Sequence, residues 1–175
     1  MKRYHFIAIG GSAMHSLAIA LKENGDQISG SDDAIFDPSK TQLLKADIYP
    51  EKMGWHPEKI STDLDAVILG MHAKADNPEL ITAQSLGLKI YSYPEFIAHF
   101  SKRKTRVVIA GSHGKTTISA MVLHVLKYHD RSVDFMLGAQ LDGYNNSVSL
   151  TDKNDFILLE GDEYLSSPID LLSLI

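Results

Sequence analysis

The heptapeptide Gly111-Ser112-His113-Gly114-Lys115-Thr116-Thr117 constrains this chain more than any other segment. An apolar run, Arg106 to Ala110, precedes it. A helical pattern from Lys115 to about His129 follows, with Met121, Val122, Val125 and Leu126 expected on one stripe. Strand, glycine loop and helix in that order read as a phosphate-binding loop of a parallel α/β sheet. Its glycines let backbone N–H groups turn toward an anion, and the new helix presents its positive end. Lys115 adds a charge for the β and γ phosphates, and the Thr116 hydroxyl suits Mg²⁺. The generic loop places a glycine where this chain has Ile109, so the loop is a shorter variant.

Such a loop needs an acidic partner on a neighbouring strand. The run Phe156-Ile157-Leu158-Leu159 delivers Glu160 to the carboxyl end of a buried strand, where ligands of open α/β sheets collect. Thr116 and Glu160 are therefore the metal candidates. Lys115, Glu160 and His113 are the candidates for chemistry, His113 in a positioning role because no carboxylate in the sequence is placed to orient it. Asp162 and Glu163 read equally well as solvated loop charges or as groups near the metal.

The first hundred residues repeat the strand and helix alternation. Tyr4 to Ile9 reads as a strand, Gly10 to Ser12 as a turn, and Ala13 to Asn24 as a helix ended by Gly25. Gln27 to Gly30 follows as a strand, then Pro38 to Lys45 as a short helix with Leu43 and Leu44 on one face. Ala66 to Gly70 is a continuous apolar strand of the doubly buried kind. Asn77 caps a helix that starts at Pro78 and runs to about Leu86, and Leu88 to Tyr91 is a further strand. The turn overlays the dinucleotide fingerprint as Ala8-x-Gly10-x-x-Ala13, with one of its three glycines kept. Gly10, Gly11, Ser12, Ala13 and Met14 would then hold a diphosphate at a helix N-terminus. Asp32, after Ser31 at the end of the second strand, sits where an acid meets a ribose or base, or is a surface turn residue. The basic run Lys102, Arg103, Lys104, Arg106 reads as a solvated linker. Beyond it, Val133 to Leu137 and Phe156 to Glu160 bring the second block to about three strands.

Charge and composition narrow the partners. With 17 Lys plus Arg against 22 Asp plus Glu, a net charge of −5 argues against nucleic-acid binding by bulk charge. The sequence has no cysteine, and His5, His15, His56, His99, His124 and His129 show no zinc spacing. No apolar run approaches the about 20 residues that cross a bilayer, so no membrane role and a cytoplasmic location are expected.

Several of these segments together resemble the Mur ligases, ATP-dependent amide ligases of bacterial cell-wall synthesis. They are the Gly10-Gly11 turn, Ser29-Gly30-Ser31-Asp32, Asp76-Asn77-Pro78-Glu79, the Gly111 to Thr117 loop and Glu160-Gly161-Asp162-Glu163. The resemblance implies an α/β chain with a Rossmann-like parallel-sheet domain that binds UDP-sugar (1–100), followed by the start of a P-loop ATP-binding α/β domain (101–175). It implies UDP-N-acetylmuramate, ATP with Mg²⁺, and an amino acid or peptide as partners, and places His72 in the UDP-sugar region, where an exposed loop histidine is the other reading. Within the family the pattern is most like the branch that adds to UDP-N-acetylmuramate itself. That branch joins either L-alanine or a recycled tripeptide, and Tyr164 is more like the tripeptide enzymes, since Ser is usual in the alanine-adding ones. The family has three domains, so the resemblance also implies an incomplete ATP domain, an absent C-terminal amino-acid-binding domain and no amide synthesis by these residues alone. The apolar end Leu171 to Ile175 departs from the family pattern. A stand-alone nucleotide-binding module is the alternative from another class.

Overall fold

The computed structural model describes residues 1–71 and 73–161. The chain divides into two compact units, Met1–Phe96 and Ile97–Ile175.

In the first unit, β1 (Arg3–Ile7) leads through a turn into α1 (Ser12–Glu23), followed by β2 (Gln27–Ser31), α2 (Ser39–Lys45), β3 (Ala66–Leu69), α3 (Pro78–Ser85) and β4 (Ile90–Ser92). The strands order β2-β1-β3-β4, all parallel, with Tyr4 opposite both Ile28 and Ala66. As an inner strand, β1 is covered on both faces, which explains why Tyr4, His5, Phe6 and Ile7 are all buried despite the polar histidine. On the α3 side, Ile7, Val67, Leu80 and Ala83 form a cluster with Ile60 and Leu64. Every residue of α1 from Met14 to Leu21 is buried, polar His15 and Ser16 included. The two leucines of α2 do not share a face: Leu43 is buried and Leu44 exposed, as successive residues about 100° apart on a helix must be.

A fourth helix, α4 (Tyr93–Phe100), follows β4 directly. Ser92 and Glu95 start it with a capping box, the Ser92 N–H donating to Glu95 Oε2 at 2.7 Å and the Glu95 N–H to Ser92 Oγ at 3.4 Å.

In the second unit, β5 (Thr105–Ile109) leads through the glycine loop into α5 (Lys115–Tyr128), then β6 (Asp134–Met136), β7 (Val148–Ser149) and β8 (Phe156–Glu160). The sheet order is β5-β8-β6-β7; β5, β8 and β6 are parallel, and the two-residue β7 is antiparallel to β6. That is one strand more than the sequence predicts, β7 being too short to leave a pattern. Leu123 anchors α5 against Phe135, Leu137 and Leu158. The expected α5 stripe is corrected in part: Val122 packs half-buried against that cluster, Met121 and Val125 are exposed, and Ser119 and Leu123 are the helix's buried positions.

The basic run is solvated at Lys102 and Arg103, as expected, and corrected at Lys104. Ser101–Arg103 forms a 3-10 turn, and Lys104 turns inward. Its ammonium lies 2.9 Å from Asp134 Oδ2 and donates to the Thr151 carbonyl at 2.7 Å. This lysine closes the base of the second sheet.

Candidate functional site

The phosphate loop follows from its backbone. Gly111 (φ +147°) and Gly114 (φ +79°) both adopt conformations that L side chains rarely take, which turns the chain sharply between β5 and α5. Gly111 to Gly114 are exposed, as is Thr117, while Lys115 and Thr116 are half-buried. Gly114 is the N-cap of α5, which has no side-chain cap and no acid in its first turn, so its positive end is offered to an anion. The Lys115 ammonium donates to the Gly111 carbonyl at 2.7 Å and so lies over the loop. Across from it, Thr116 Oγ1 donates to Glu160 Oε2 at 3.1 Å, and the Gly138 N–H donates to the same oxygen at 2.9 Å. A Cβ on residue 138 would stand 2.9 Å from that oxygen, so a side chain there would have to push the Glu160 carboxylate out of this position. The other carboxylate oxygen, Glu160 Oε1, is buried with no hydrogen-bond partner among the described residues. A hydroxyl, a carboxylate and an orphaned anionic oxygen beside a phosphate loop fit a Mg²⁺ ion, which takes one or two protein oxygens and completes its shell with phosphate and water. The structure brings together Lys115, Thr116 and Glu160, and adds Gly138. His113 is exposed on the loop.

The second candidate site is the turn after β1. Ala8 has a positive φ of 65°, and the Ala8 and Ile9 N–H groups both donate to the Ser31 carbonyl, at 2.9 and 3.1 Å. The turn is wedged between glycines: a Cβ on Gly30 would meet Ile9 Cδ1 at 2.6 Å, and one on Gly70 would meet Ala8 Cβ at 3.0 Å. Gly10 is equally confined, since its Cβ would lie 2.9 Å from Asp32 Oδ2, and its N–H donates to that oxygen at 2.7 Å. Gly11, the N-cap of α1, has room for a side chain, the nearest atom being Met14 Cγ at 3.4 Å. Ser12 and Ala13 are exposed and Met14 is buried. Like α5, α1 has no side-chain cap and no acid in its first turn, whereas the Asn77 side chain caps α3 and Glu79 lies in that helix's first turn. Ser31 is fully buried, and Asp32 is buried with its carboxylate bracing the turn. Burial raises the Asp32 carboxyl above the ordinary range, against the pull of the Gly10 amide. His72, Asp162, Glu163, Tyr164 and the Leu171 to Ile175 tail lie outside the described residues.

One buried pair gives no sequence signal. Glu79, on the first turn of α3, and His5, in β1, are both fully buried, with His5 Nε2 3.4 Å from Glu79 Oε2. His5 Nδ1 is 2.9 Å from Ser29 Oγ, and Glu79 Oε1 accepts the His56 N–H at 2.6 Å. Burial alone would raise the Glu79 carboxyl. The bonds from His5 and the His56 amide outweigh burial and hold it below the usual range.

Residues 3–105 match the Mur ligase family, catalytic domain. The chain belongs to the Mur ligase family. This Mur ligase chain is 32% identical over 174 residues to the UDP-N-acetylmuramate–L-alanine ligase of Carboxydothermus hydrogenoformans, an alignment covering 98% of the chain and 36% of that protein. It thus spans about a third of the length of this curated relative. Among solved structures it is similar to the UDP-N-acetylmuramate:L-alanyl-gamma-D-glutamyl-meso-diaminopimelate ligase of Neisseria meningitides. That likeness has a TM-score of 0.76 at 30% identity and covers 94% of this chain and 53% of the other. It is also similar to the UDP-N-acetylmuramate-alanine ligase of Thermotoga maritima, with a TM-score of 0.71 at 27% identity, covering 91% of this chain and 37% of the other. The α/β fold expected from the sequence, with a Rossmann-like parallel sheet in the first unit, is the one observed.

Proposed function

We propose that this chain carries the UDP-sugar site and the phosphate loop of an ATP-dependent ligase. In this reading the ligase joins a tripeptide, L-alanyl-gamma-D-glutamyl-meso-diaminopimelate, to UDP-N-acetylmuramate in the cytoplasm, for peptidoglycan recycling. Residues 1–100 serve as the UDP-sugar domain and 101–175 as the start of the ATP-binding domain. The observation that carries the reading is the Thr116 and Glu160 pair at the mouth of the phosphate loop, with Glu160 Oε1 buried and unsatisfied.

The diphosphate of the sugar nucleotide takes the turn Gly10 to Met14, where α1 offers N–H groups with no acid in its first turn. ATP takes the loop Gly111 to Thr117. The sugar's carboxylate attacks the γ-phosphorus, ADP leaves, and the amine then displaces phosphate from the acyl phosphate. Lys115 offsets charge on the transferred group, and Thr116 and Glu160 hold Mg²⁺. When bound, Mg²⁺ neutralises charge on the β and γ oxygens. His113 positions the loop.

A second reading of the amine is L-alanine, favoured by the name of the Carboxydothermus relative; the tripeptide reading rests on Tyr164. Both share the UDP-sugar and ATP sites. The test is calorimetric titration of UDP-N-acetylmuramate, and separately of a non-hydrolysable ATP analogue with Mg²⁺, into the purified chain. Both are expected to bind. Binding of the UDP-sugar alone would favour a stand-alone module, and binding of neither would end the proposal. Turnover with each amine, followed by mass spectrometry in the ligase that contains these residues, separates tripeptide from alanine.

A further inference from the structure

We propose that Glu79 is a positioning residue for the UDP-sugar turn, acting through the strap Gly54-Trp55-His56. The inference rests on the UDP-sugar reading of that turn. The strap is anchored at both ends. Its Gly54 N–H donates to the Asp32 carbonyl at 2.7 Å, and its His56 N–H donates to Glu79 Oε1 at 2.6 Å. Asp32 in turn accepts the Gly10 N–H at 2.7 Å. A continuous path of short bonds therefore runs from a buried carboxylate on α3, across the carboxyl end of the sheet, to the turn that would meet the diphosphate. Between the anchors Trp55 packs, half-buried, against the cluster that includes Ile7, Leu64 and Leu80.

Glu79 reaches two elements at once, Oε1 accepting the His56 N–H and Oε2 facing His5 Nε2 on β1, so one buried side chain holds an irregular segment in one place. Gly54 has a φ of +104° and a Cβ there would meet nothing within 4 Å, so at that end the strap is held by its bond to the Asp32 carbonyl rather than by packing, and the Glu79 bond fixes the other end on which Trp55 is seated. Loss of the His56 anchor frees Trp55 and the Gly54 end. The Asp32 carbonyl then loses its fixed partner, and the carboxylate that braces Gly10 is no longer set in place.

The strap reports on itself, because Trp55 is the single tryptophan of the chain. The test compares the wild type with Glu79→Ala and Glu79→Gln for UDP-N-acetylmuramate affinity, Trp55 emission and hydrogen exchange at the Gly10, Gly54 and His56 amides, well below the thermal midpoint. Glu79→Ala is expected to weaken affinity by about tenfold, shift Trp55 emission to the red and speed exchange at all three amides. Glu79→Gln keeps an oxygen for the His56 N–H and is expected to stay within about threefold of the wild type, with unshifted emission. Should Glu79→Ala not fold, Glu79→Asp, which keeps the charge but shortens the reach, is read in its place. A lower thermal midpoint with affinity and Gly10 exchange unchanged would make Glu79 a stabilising residue only and overturn the proposal. Equal losses in the Ala and Gln variants would overturn it too, since the hydrogen bond to His56 would not be what matters. A wild type that binds no UDP-sugar would instead overturn the reading of the turn, and the positioning role with it.

Discussion

Lys104 and Asp134 form a buried ion pair at 2.9 Å, with side chains 8% and 0% exposed, across thirty residues of sequence. Asp134 Oδ1 also accepts the Asn154 side-chain amide at 2.7 Å and the Thr151 N–H at 3.1 Å, so one carboxylate fixes both the start of β6 and the segment leading into β8.

Removing one member of such a pair leaves an uncompensated charge in the interior. Lys104→Met is expected to destabilise the second unit by about 3 to 5 kcal/mol. The double variant Lys104→Met with Asp134→Leu should recover part of that loss, since no buried charge is then left over. Urea titration of both variants measures this, and a loss under about 1 kcal/mol for the single variant would show the pair to be as weak as a surface one.

Gly11 separates fold from ligand. Its backbone (φ −59°, ψ 148°) suits any residue, and an added Cβ meets only Met14 Cγ at 3.4 Å. Gly11→Ala should therefore leave stability within about 0.5 kcal/mol of the wild type. UDP-N-acetylmuramate affinity should fall by about tenfold, because the methyl group obstructs backbone approach to the diphosphate. Calorimetry with a parallel thermal melt checks both halves.

Lys115→Ala removes the ammonium that lies over Gly111. Binding of a Mg²⁺-ATP analogue is expected to weaken by more than about tenfold, while UDP-N-acetylmuramate binding stays unchanged, because the residues proposed to hold it are all in the first unit. Equal loss of both ligands would indicate unfolding rather than a lost phosphate contact.

Glu79 and Asp32 predict opposite pH responses. The carboxyl of Glu79 is held below its ordinary 4.5, so its contribution is present above that pH and is lost as pH falls through the folded-state value. Asp32 is raised above its ordinary 3.8, so its ionisation weakens the folded state as pH rises from there through the folded-state value. In urea titrations from pH 6 down to pH 3, the stability gap between the wild type and Glu79→Gln should narrow. The gap to Asp32→Asn should shift in the wild type's favour. A gap for Glu79→Gln that is constant with pH would show that its carboxylate is not specially stabilised.

The elements that were legible in the sequence are those whose cause is local. Asn77-Pro78 caps α3 as its residue types require, and the glycine loop opens α5 at Lys115. The helix α4 was equally legible: Ser92-Tyr93-Pro94-Glu95 spells its capping box, in a stretch between Tyr91 and Lys102 for which no element is predicted. The inward turn of Lys104 was not legible, because its partner Asp134 is chosen by sheet register. At the sites, Thr116, Lys115 and Glu160 declare themselves by motif. Gly138 joins them only because β6 lies next to β8, and His5 meets Glu79 only because β1 passes beside the start of α3. The Asp32 brace on Gly10 was half-legible: an acid at the end of β2 is expected near the turn, but not that the protein's own amide would claim it.

The wedging of Ala8 and Ile9 between Gly30 and Gly70 has a consequence for how this protein will look in a saturation mutagenesis experiment. Neither glycine needs to touch a bound molecule, yet any side chain at either one pushes on the turn from beneath. Both positions should score as intolerant in a selection for nucleotide binding, as Gly10 does for its own crowding by Asp32 and Ile35. A footprint drawn from tolerance scores alone would therefore come out larger than the ligand. Its outer ring would mark where the main chain is moulded, and Gly11, which has room for a side chain, would be the position in the turn whose score reports on the ligand itself.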